Sequence, residues 1–271
     1  MAYSAIIKKL SLSVIGAAVL GLGTSNVAQA TNFYVSTTSG TVGSVDQSTG
    51  VYTPVASGPV FTDIALSNTN ELYGITFNQL YKVNTTTGTS SFIGNFAASL
   101  NGLGFTLGNE LYGTGDSGFY KINTSTGAAS LVSNIAGFGS SGDLVFDPVN
   151  NRFLATSVGD SLWSIALNGV ASQIGNIGFG AVYGLAFDGD GTLYGYTADR
   201  RQIVINPTTG SGIFVRNVTG VSGEIWGSAS LPSTGPKPVP EPAMLLGLLG
   251  VSSLGLGSLN KRKKQQKATV A

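Results

Sequence analysis

The feature that most constrains this chain is an internal repeat of about 40 residues, because units of that length must bury their apolar faces against one another. Three lines of residues recur together. The first is a short apolar run: Asp63-Ile64-Ala65-Leu66, Gly102-Leu103-Gly104-Phe105, Asp143-Leu144-Val145-Phe146, Gly184-Leu185-Ala186-Phe187 and Glu224-Ile225-Trp226-Gly227, at intervals of 39, 41, 41 and 40 residues. The second follows soon after, as Leu72-Tyr73-Gly74, Leu111-Tyr112-Gly113, Phe153-Leu154-Ala155 and Leu193-Tyr194-Gly195, with Phe33-Tyr34-Val35 as an N-terminal copy. The third contains Leu80 to Asn84, Phe119 to Asn123, Leu162 to Ile165 and Gln202 to Asn206, with Val42 to Asp46 as its first member. Each third line runs into a turn closed by Gly50, Gly88, Gly127, Gly169 or Gly210.

These segments are short, rich in β-branched and aromatic residues, and bounded by Gly, Asn, Asp and Thr, so they predict β-strands. In turns such as Asn84 to Gly88 and Asn123 to Gly127, the Asn side chain holds the bend and Gly takes the positive φ. A fourth strand follows each turn, at 89–94, 128–133, 171–175 and 212–216. Four strands per unit is the pattern of a β-propeller blade. The N-terminal copy lacks a first strand, and the C-terminal copy, 224–229, supplies only a first strand. Joined, they complete one blade, which predicts a closed five-bladed propeller without an open sheet edge. A parallel β-solenoid is the alternative, since stacked β-units also give periodic Gly and apolar residues.

Composition narrows the chemistry. With no Cys there is neither a disulfide framework nor a thiolate metal site. With no His, the usual neutral-pH base and the commonest zinc ligand are both missing, which removes Ser-His-Asp hydrolases and most zinc enzymes. The formal charge of +1 conceals an uneven distribution, because eight of the 14 basic residues lie in the two tails. The body keeps six basic residues against twelve acids, a charge of about −6. An acidic body without a basic stripe excludes nucleic acid as an expected partner.

The start of the first line is the position nearest the axis. Around the ring it reads Asp63, Gly102, Asp143, Gly184 and Glu224, so three acids are expected to face one mouth of the channel. Three carboxylates near an axis repel unless something compensates. Asp63, Asp143 and Glu224 are therefore candidate metal ligands, with calcium the cation considered, or candidate carboxylates of a glycan hydrolase or lyase. The competing reading is that they cap backbone amides of adjacent inter-blade loops and are solvated. No cofactor is otherwise expected. Asp188-Gly189-Asp190-Gly191 has the alternating acids of a calcium loop but lacks its distal Glu, and fits a hairpin turn. Asn84, Asn123 and Asn217 fit the glycan-acceptor pattern, which turn chemistry explains for the first two. Tyr73, Tyr112 and Tyr194 fit blade packing better than a sugar-stacking surface.

Both ends of the chain read as addresses. Lys8 and Lys9 precede a 13-residue apolar run from Leu10 to Leu22, and Ala28-Gln29-Ala30 has the small-x-small form of a signal-peptidase site, so 1–30 reads as a signal peptide. A retained signal anchor is the alternative. The body spans 31–230, and 231–238 is a Pro, Gly and Ser linker. In 239–271, Val239-Pro240-Glu241-Pro242 precedes a 17-residue apolar run, 243–259, and the basic cluster Lys261 to Lys264. An ordinary C-terminal membrane anchor fits the length of that run. The three parts, in order and spacing, resemble the PEP-CTERM sorting signal. That resemblance covers only about the last thirty residues. It implies a Gram-negative or cyanobacterial-type envelope, processing near Pro240, Glu241 and Pro242 by an exosortase, transient membrane insertion, and export to the surface, often alongside exopolysaccharide production. The combined expectation is an exported propeller serving as a binding or matrix module, toward polysaccharide or an envelope protein.

Overall fold

The structure, a computed structural model, describes residues 33–231. The signal-peptidase residues Ala28 and Ala30, the sorting residues Pro240, Glu241 and Pro242, and the apolar run 243–259 lie outside the described residues. Within them no helix is long and apolar enough to cross a membrane.

Chain order builds the blades one after another. Strands β1 (Phe33–Thr37), β2 (Thr41–Val45) and β3 (Tyr52–Ser57) form three quarters of blade 1. Blade 2 is β4 (Asp63–Leu66), β5 (Leu72–Ile75), β6 (Gln79–Asn84) and β7 (Thr89–Asn95). Blade 3 is β8 (Gly102–Phe105), β9 (Leu111–Gly115), β10 (Gly118–Ile122) and β11 (Ala129–Asn134). Blade 4 is β12 (Ser140–Asp147), β13 (Arg152–Ser157), β14 (Ser161–Ala166) and β15 (Ala171–Asn176). Blade 5 is β16 (Val182–Phe187), β17 (Leu193–Thr197), β18 (Arg201–Ile205) and β19 (Gly212–Asn217). The last strand, β20 (Ile225–Ala229), returns to pair antiparallel with β1 and completes blade 1 as β20-β1-β2-β3. Inner strands touch in sequence, β20 to β4 to β8 to β12 to β16 and back to β20, so the five antiparallel sheets close into a five-bladed propeller. An open solenoid stack is excluded by that closure.

Burial follows radius. The inner strands β4 and β8 are buried at every position, whereas the outermost β11 and β19 are exposed or half-buried throughout. Five apolar clusters hold the ring, and each joins residues of adjacent blades. Ile75 and Leu80 of blade 2 pack with Leu103 and Leu111 of blade 3, for example, and Leu154 of blade 4 packs with Leu185 and Leu193 of blade 5. Burying one such side chain contributes about 1.5–3 kcal/mol.

The turns form as the sequence predicts. Asn84 Oδ1 accepts from Thr86 N (2.9 Å) and Thr87 N (3.0 Å), and Asn206 Oδ1 accepts from Thr208 N (2.8 Å) and Thr209 N (3.0 Å). Gly88 and Gly210 follow at φ of 73° and 81°. A feature without a sequence signal is a register shift between the third and fourth strands of every blade, at Val42/Gly43, Leu80/Tyr81, Phe119/Tyr120, Leu162/Trp163 and Gln202/Ile203. Such bulges add twist to the outermost strand and blunt an edge that would otherwise template pairing with another chain.

Candidate functional site

The hydrogen-bond register assigns five equivalent axial positions, and they differ from the expectation at one blade. Ala65 lies opposite Tyr73 in blade 2, and Ala229 lies opposite Tyr34 in blade 1, so Asp63 matches Gly227. The ring is therefore Asp63, Gly102, Asp143, Gly184 and Gly227; Glu224 sits three residues upstream, exposed, just before β20. The expected ring of three acids holds two. The misplacement has a physical cause: in the fifth copy Ser228 replaces the Ile or Leu that follows the axial position elsewhere, so apolar matching slides the alignment onto Ile225 and Trp226.

Asp63 and Asp143 are buried at the axis, at 0% and 1% exposure. An inner strand has a sheet partner on one side only, so on its axial side the amide after each axial position needs another acceptor. The two carboxyls supply it for blades 2, 3, 5 and 1. Asp63 accepts from Ile64 N (2.7 Å) and Leu103 N (2.6 Å). Asp143 Oδ2 accepts from Leu185 N (2.5 Å) and from Ser228 N (3.2 Å), with Ser228 Oγ at 3.3 Å. Glycine at the other three positions makes room: a Cβ on Gly227 would stand 2.6 Å from Asp63 Cα and nearer still to its carboxyl.

Burial pushes both carboxyls well above the usual carboxylate range, and for Asp63 the neighbouring Asp143 charge adds to the shift. Their amide partners pull in the opposite direction without offsetting the burial. The two carboxyls are close enough to interact, and Asp143 Oδ1 has no hydrogen-bond partner. One proton held between them would satisfy that oxygen and remove the repulsion of two buried charges. The pair is thus a plug in which two carboxyls serve four inner-strand amides. Glycosidase carboxyls stand about 5–9.5 Å apart with a sugar or water between them, whereas this pair is sealed and in contact. Among the described residues no group of three acids converges on a common ion position, and Glu224 is not brought to the pair.

On one side of the plug lies an axial cavity of about 30 Å³, lined by residues such as Leu66, Phe105 and Phe146 and bordered by Ser230 and Leu231, where the described chain ends. Because β1 begins beside the end of β20, residues 33 and 231 leave from this same face. On the other side is an open depression of about 260 Å³. Its lining includes the residue immediately before each axial position: Thr62, Asn101, Gly142, Tyr183 and Trp226. Phe77, 53% exposed, and Glu224 stand at its rim, and Trp226 Nε1 donates to Glu224 Oε2 (3.1 Å). Asn101 Nδ2 donates to Ser140 O (3.1 Å), while Asn101 Oδ1 is buried without a partner. Sequence reasoning quoted Trp226 only as part of a strand and missed Phe77, Asn101 and Tyr183. The available signal was divergence between repeats, because five different side chains occupy the position before the plug.

The remaining candidates resolve locally. Asp188 to Gly191 is the hairpin turn between β16 and β17, with Asp188 Oδ1 accepting from Gly189 N (2.5 Å) and Asp190 Oδ1 from Thr192 N (2.9 Å). Tyr73 and Tyr112 are buried against Phe105 and Phe119, with ring centroids 5.3 and 5.1 Å apart, and their hydroxyls point at Glu71 and Glu110. Tyr194 packs edge-on against Phe33, with the ring centroids 5.6 Å apart. Tyr73, Tyr112 and Tyr194 are blade-packing residues.

With this geometry established, known proteins add the fold and nothing finer. No family model matches the chain, and no curated protein sequence matches it. Solved structures do. A chain from a crystal structure of a nidogen/laminin complex superposes with a TM-score of 0.55 at 12% identity, over 74% of this chain and 98% of that one. A protein described in work on the de novo evolutionary emergence of a symmetrical protein superposes with a TM-score of 0.50 at 18% identity, over 76% of this chain and 100% of that one. Both likenesses are of fold.

Proposed function

We propose that this chain is an exported binding or structural module, displayed at the cell surface or in the extracellular matrix and associated with envelope polysaccharide. The observation that supports the reading most is the separation of the two faces. Both ends of the described chain leave from the face holding Leu231, so a C-terminal sorting signal tethers that face and leaves the Trp226 mouth pointing away. The axial acids are consumed by backbone amides, which favours a binding role over a carboxylate-dependent reaction. The likeness to a chain of a nidogen/laminin complex is consistent with a propeller that works by assembling with other molecules. In this reading a signal peptidase acts at Ala30, and an exosortase-type enzyme acts near Pro240, Glu241 and Pro242 during transient membrane insertion of 243–259.

Fractionating cells that carry an epitope-tagged chain tests this. The body is expected at the surface or in the matrix fraction, and replacing Pro240, Glu241 and Pro242 by Ala is expected to hold the unprocessed chain in the membrane. A triple variant processed and distributed like the parent chain sinks the sorting proposal. A tagged body that stays inside the cell sinks the export proposal.

A further inference from the structure

We propose that the depression above the axial plug is a glycan-binding site that takes a linear polysaccharide chain, with a sugar ring seated on Trp226 and Tyr183. The proposal rests on the reading of the protein as a binding module and names the place and the ligand chemistry.

The internal repeat supplies its own control. One residue after the axial position, four of five copies carry Ile or Leu, because that position packs between blades. One residue before it, the copies carry Thr62, Asn101, Gly142, Tyr183 and Trp226, and all five border the same depression. Packing within each blade does not ask for this variety, since the blades are otherwise built alike. The mouth is where five equivalent positions were made different.

The chemistry placed there is of two kinds. Phe77, Tyr183 and Trp226 offer aromatic surface around the depression. Asn101 and the Glu224 carboxylate add polar groups to the lining, and Asn101 Oδ1 has no hydrogen-bond partner. An acceptor without a partner beside the depression favours a ligand that brings hydroxyl donors. A pyranose ring brings both complements at once: a patch of C–H groups for an aromatic face, and hydroxyl donors around its edge. A purely apolar ligand would strip water from the Glu224 carboxylate and leave it a single hydrogen bond, from Trp226 Nε1, to offset the burial of its charge.

The shape favours a chain over a single sugar. Glu224 also borders a second groove of about 540 Å³, lined by Ala181, Ala198, Asp199, Arg200, Arg201 and Gly223, which leads outward between blades 5 and 1. A polymer seated at the axis has a path to the rim along it.

Two tryptophans make the test direct, because Trp163 is buried in the ring at 8% exposure whereas Trp226 stands at the mouth. Full-length chain in mild detergent is titrated with laminarin, dextran, xylan and alginate, following tryptophan fluorescence and binding heat. At least one polysaccharide is expected to bind and change the fluorescence. Trp226→Ala is expected to weaken that binding at least about tenfold, as for removal of an anchoring aromatic, with Trp226→Phe intermediate and Asn101→Leu also weakened. Melting curves check that each variant is folded, and Phe77→Ala provides a second mouth variant remote from β20. Binding that survives Trp226→Ala, Phe77→Ala and Asn101→Leu unchanged overturns this site but leaves the module reading standing. Absence of binding to every polysaccharide overturns the glycan assignment, while matrix localisation of the tagged chain decides the module reading separately. An apolar peptide that binds in a Trp226-dependent way where no glycan does also overturns it.

Discussion

Replacing Asp143 probes the plug at its most connected point. Its Oδ2 accepts from Leu185 N, Ser228 N and Ser228 Oγ, linking blade 4 to blades 5 and 1 across 42 and 85 residues of sequence. Asp143→Ala leaves two buried backbone donors without an acceptor, at about 1–3 kcal/mol each, and the Ser228 hydroxyl can turn to a new partner. It also removes the one group beside Asp63 that could share its proton, so Asp63 keeps its burial penalty. A loss of about 3–5 kcal/mol follows, which for a domain of this size lowers Tm by roughly 6–20 °C. Asp143→Asn keeps an acceptor for the amides and a donor toward Asp63, so its cost stays below about 1.5 kcal/mol. The pH dependence separates this account from ordinary packing. Both folded-state pKa values are raised above the ordinary 3.8, so above that value the native state holds protons that the unfolded chain has released. The pair's contribution to stability is therefore full below the unfolded pKa and declines as pH rises toward and through the elevated folded values. Urea denaturation of the full-length chain at pH 5, 6.5 and 8 measures it. The parent chain is expected to lose stability over that range, and Asp143→Asn to lose markedly less. Parallel pH profiles, or a Tm for Asp143→Ala within about 2 °C of the parent, would refute the shared-proton plug.

Three further outcomes follow from the geometry. Gly227→Ala places a methyl 2.6 Å from Asp63 Cα, where backbone and not a flexible side-chain end must move, and is expected to cost at least about 1–3 kcal/mol in denaturant unfolding; Gly108, where an added Cβ meets only Thr106 Oγ1 at 3.7 Å and the backbone is not left-handed, serves as the comparison site. Asp46, whose Oδ1 accepts from Ser48 Oγ and from the amides of Ser48 and Thr49, is held at a pKa of about 2, so the stability it lends is present above its ordinary value and lost as pH falls through 2; NMR titration should find that midpoint, and Ser48→Ala should raise it. A chain ending at residue 224 lacks β20, leaves β1 as an open inner edge and deprives Asp143 of Ser228, so it is expected to aggregate or lose cooperative unfolding, as light scattering and melting curves would report.

Much of the architecture was legible because its causes are local. The strands 72–75, 111–115 and 193–197 follow from short runs of Leu, Tyr and Gly, and the turns at Asn84, Asn123 and Asn206 from a side chain that closes its own bend within three residues. The count of five blades follows from the repeat period, and the shared blade from complementary missing strands at the two ends. The site was legible only in part. Asp63 and Asp143 stand out as axial acids in sequence, but the position of Glu224 depended on matching apolar runs, and Ser228 defeats that match by being polar. Ser228 is tolerated between blades because its hydroxyl and amide both serve Asp143, a partner that sequence distance hides.

The sequence by itself therefore determined the repeating unit, its strands and turns, and the closure of the ring, since each depends on residues within one blade or on which strands are missing. Tertiary structure alone decided that two carboxyls meet at the axis and cap inner-strand amides of four blades. It also gathered Phe77, Asn101, Tyr183 and Trp226 into one mouth. The physical reason is the same for both: these groups are about 40 or more residues apart along the chain in most pairings, and only the closed ring brings equivalent positions of different blades onto a common axis.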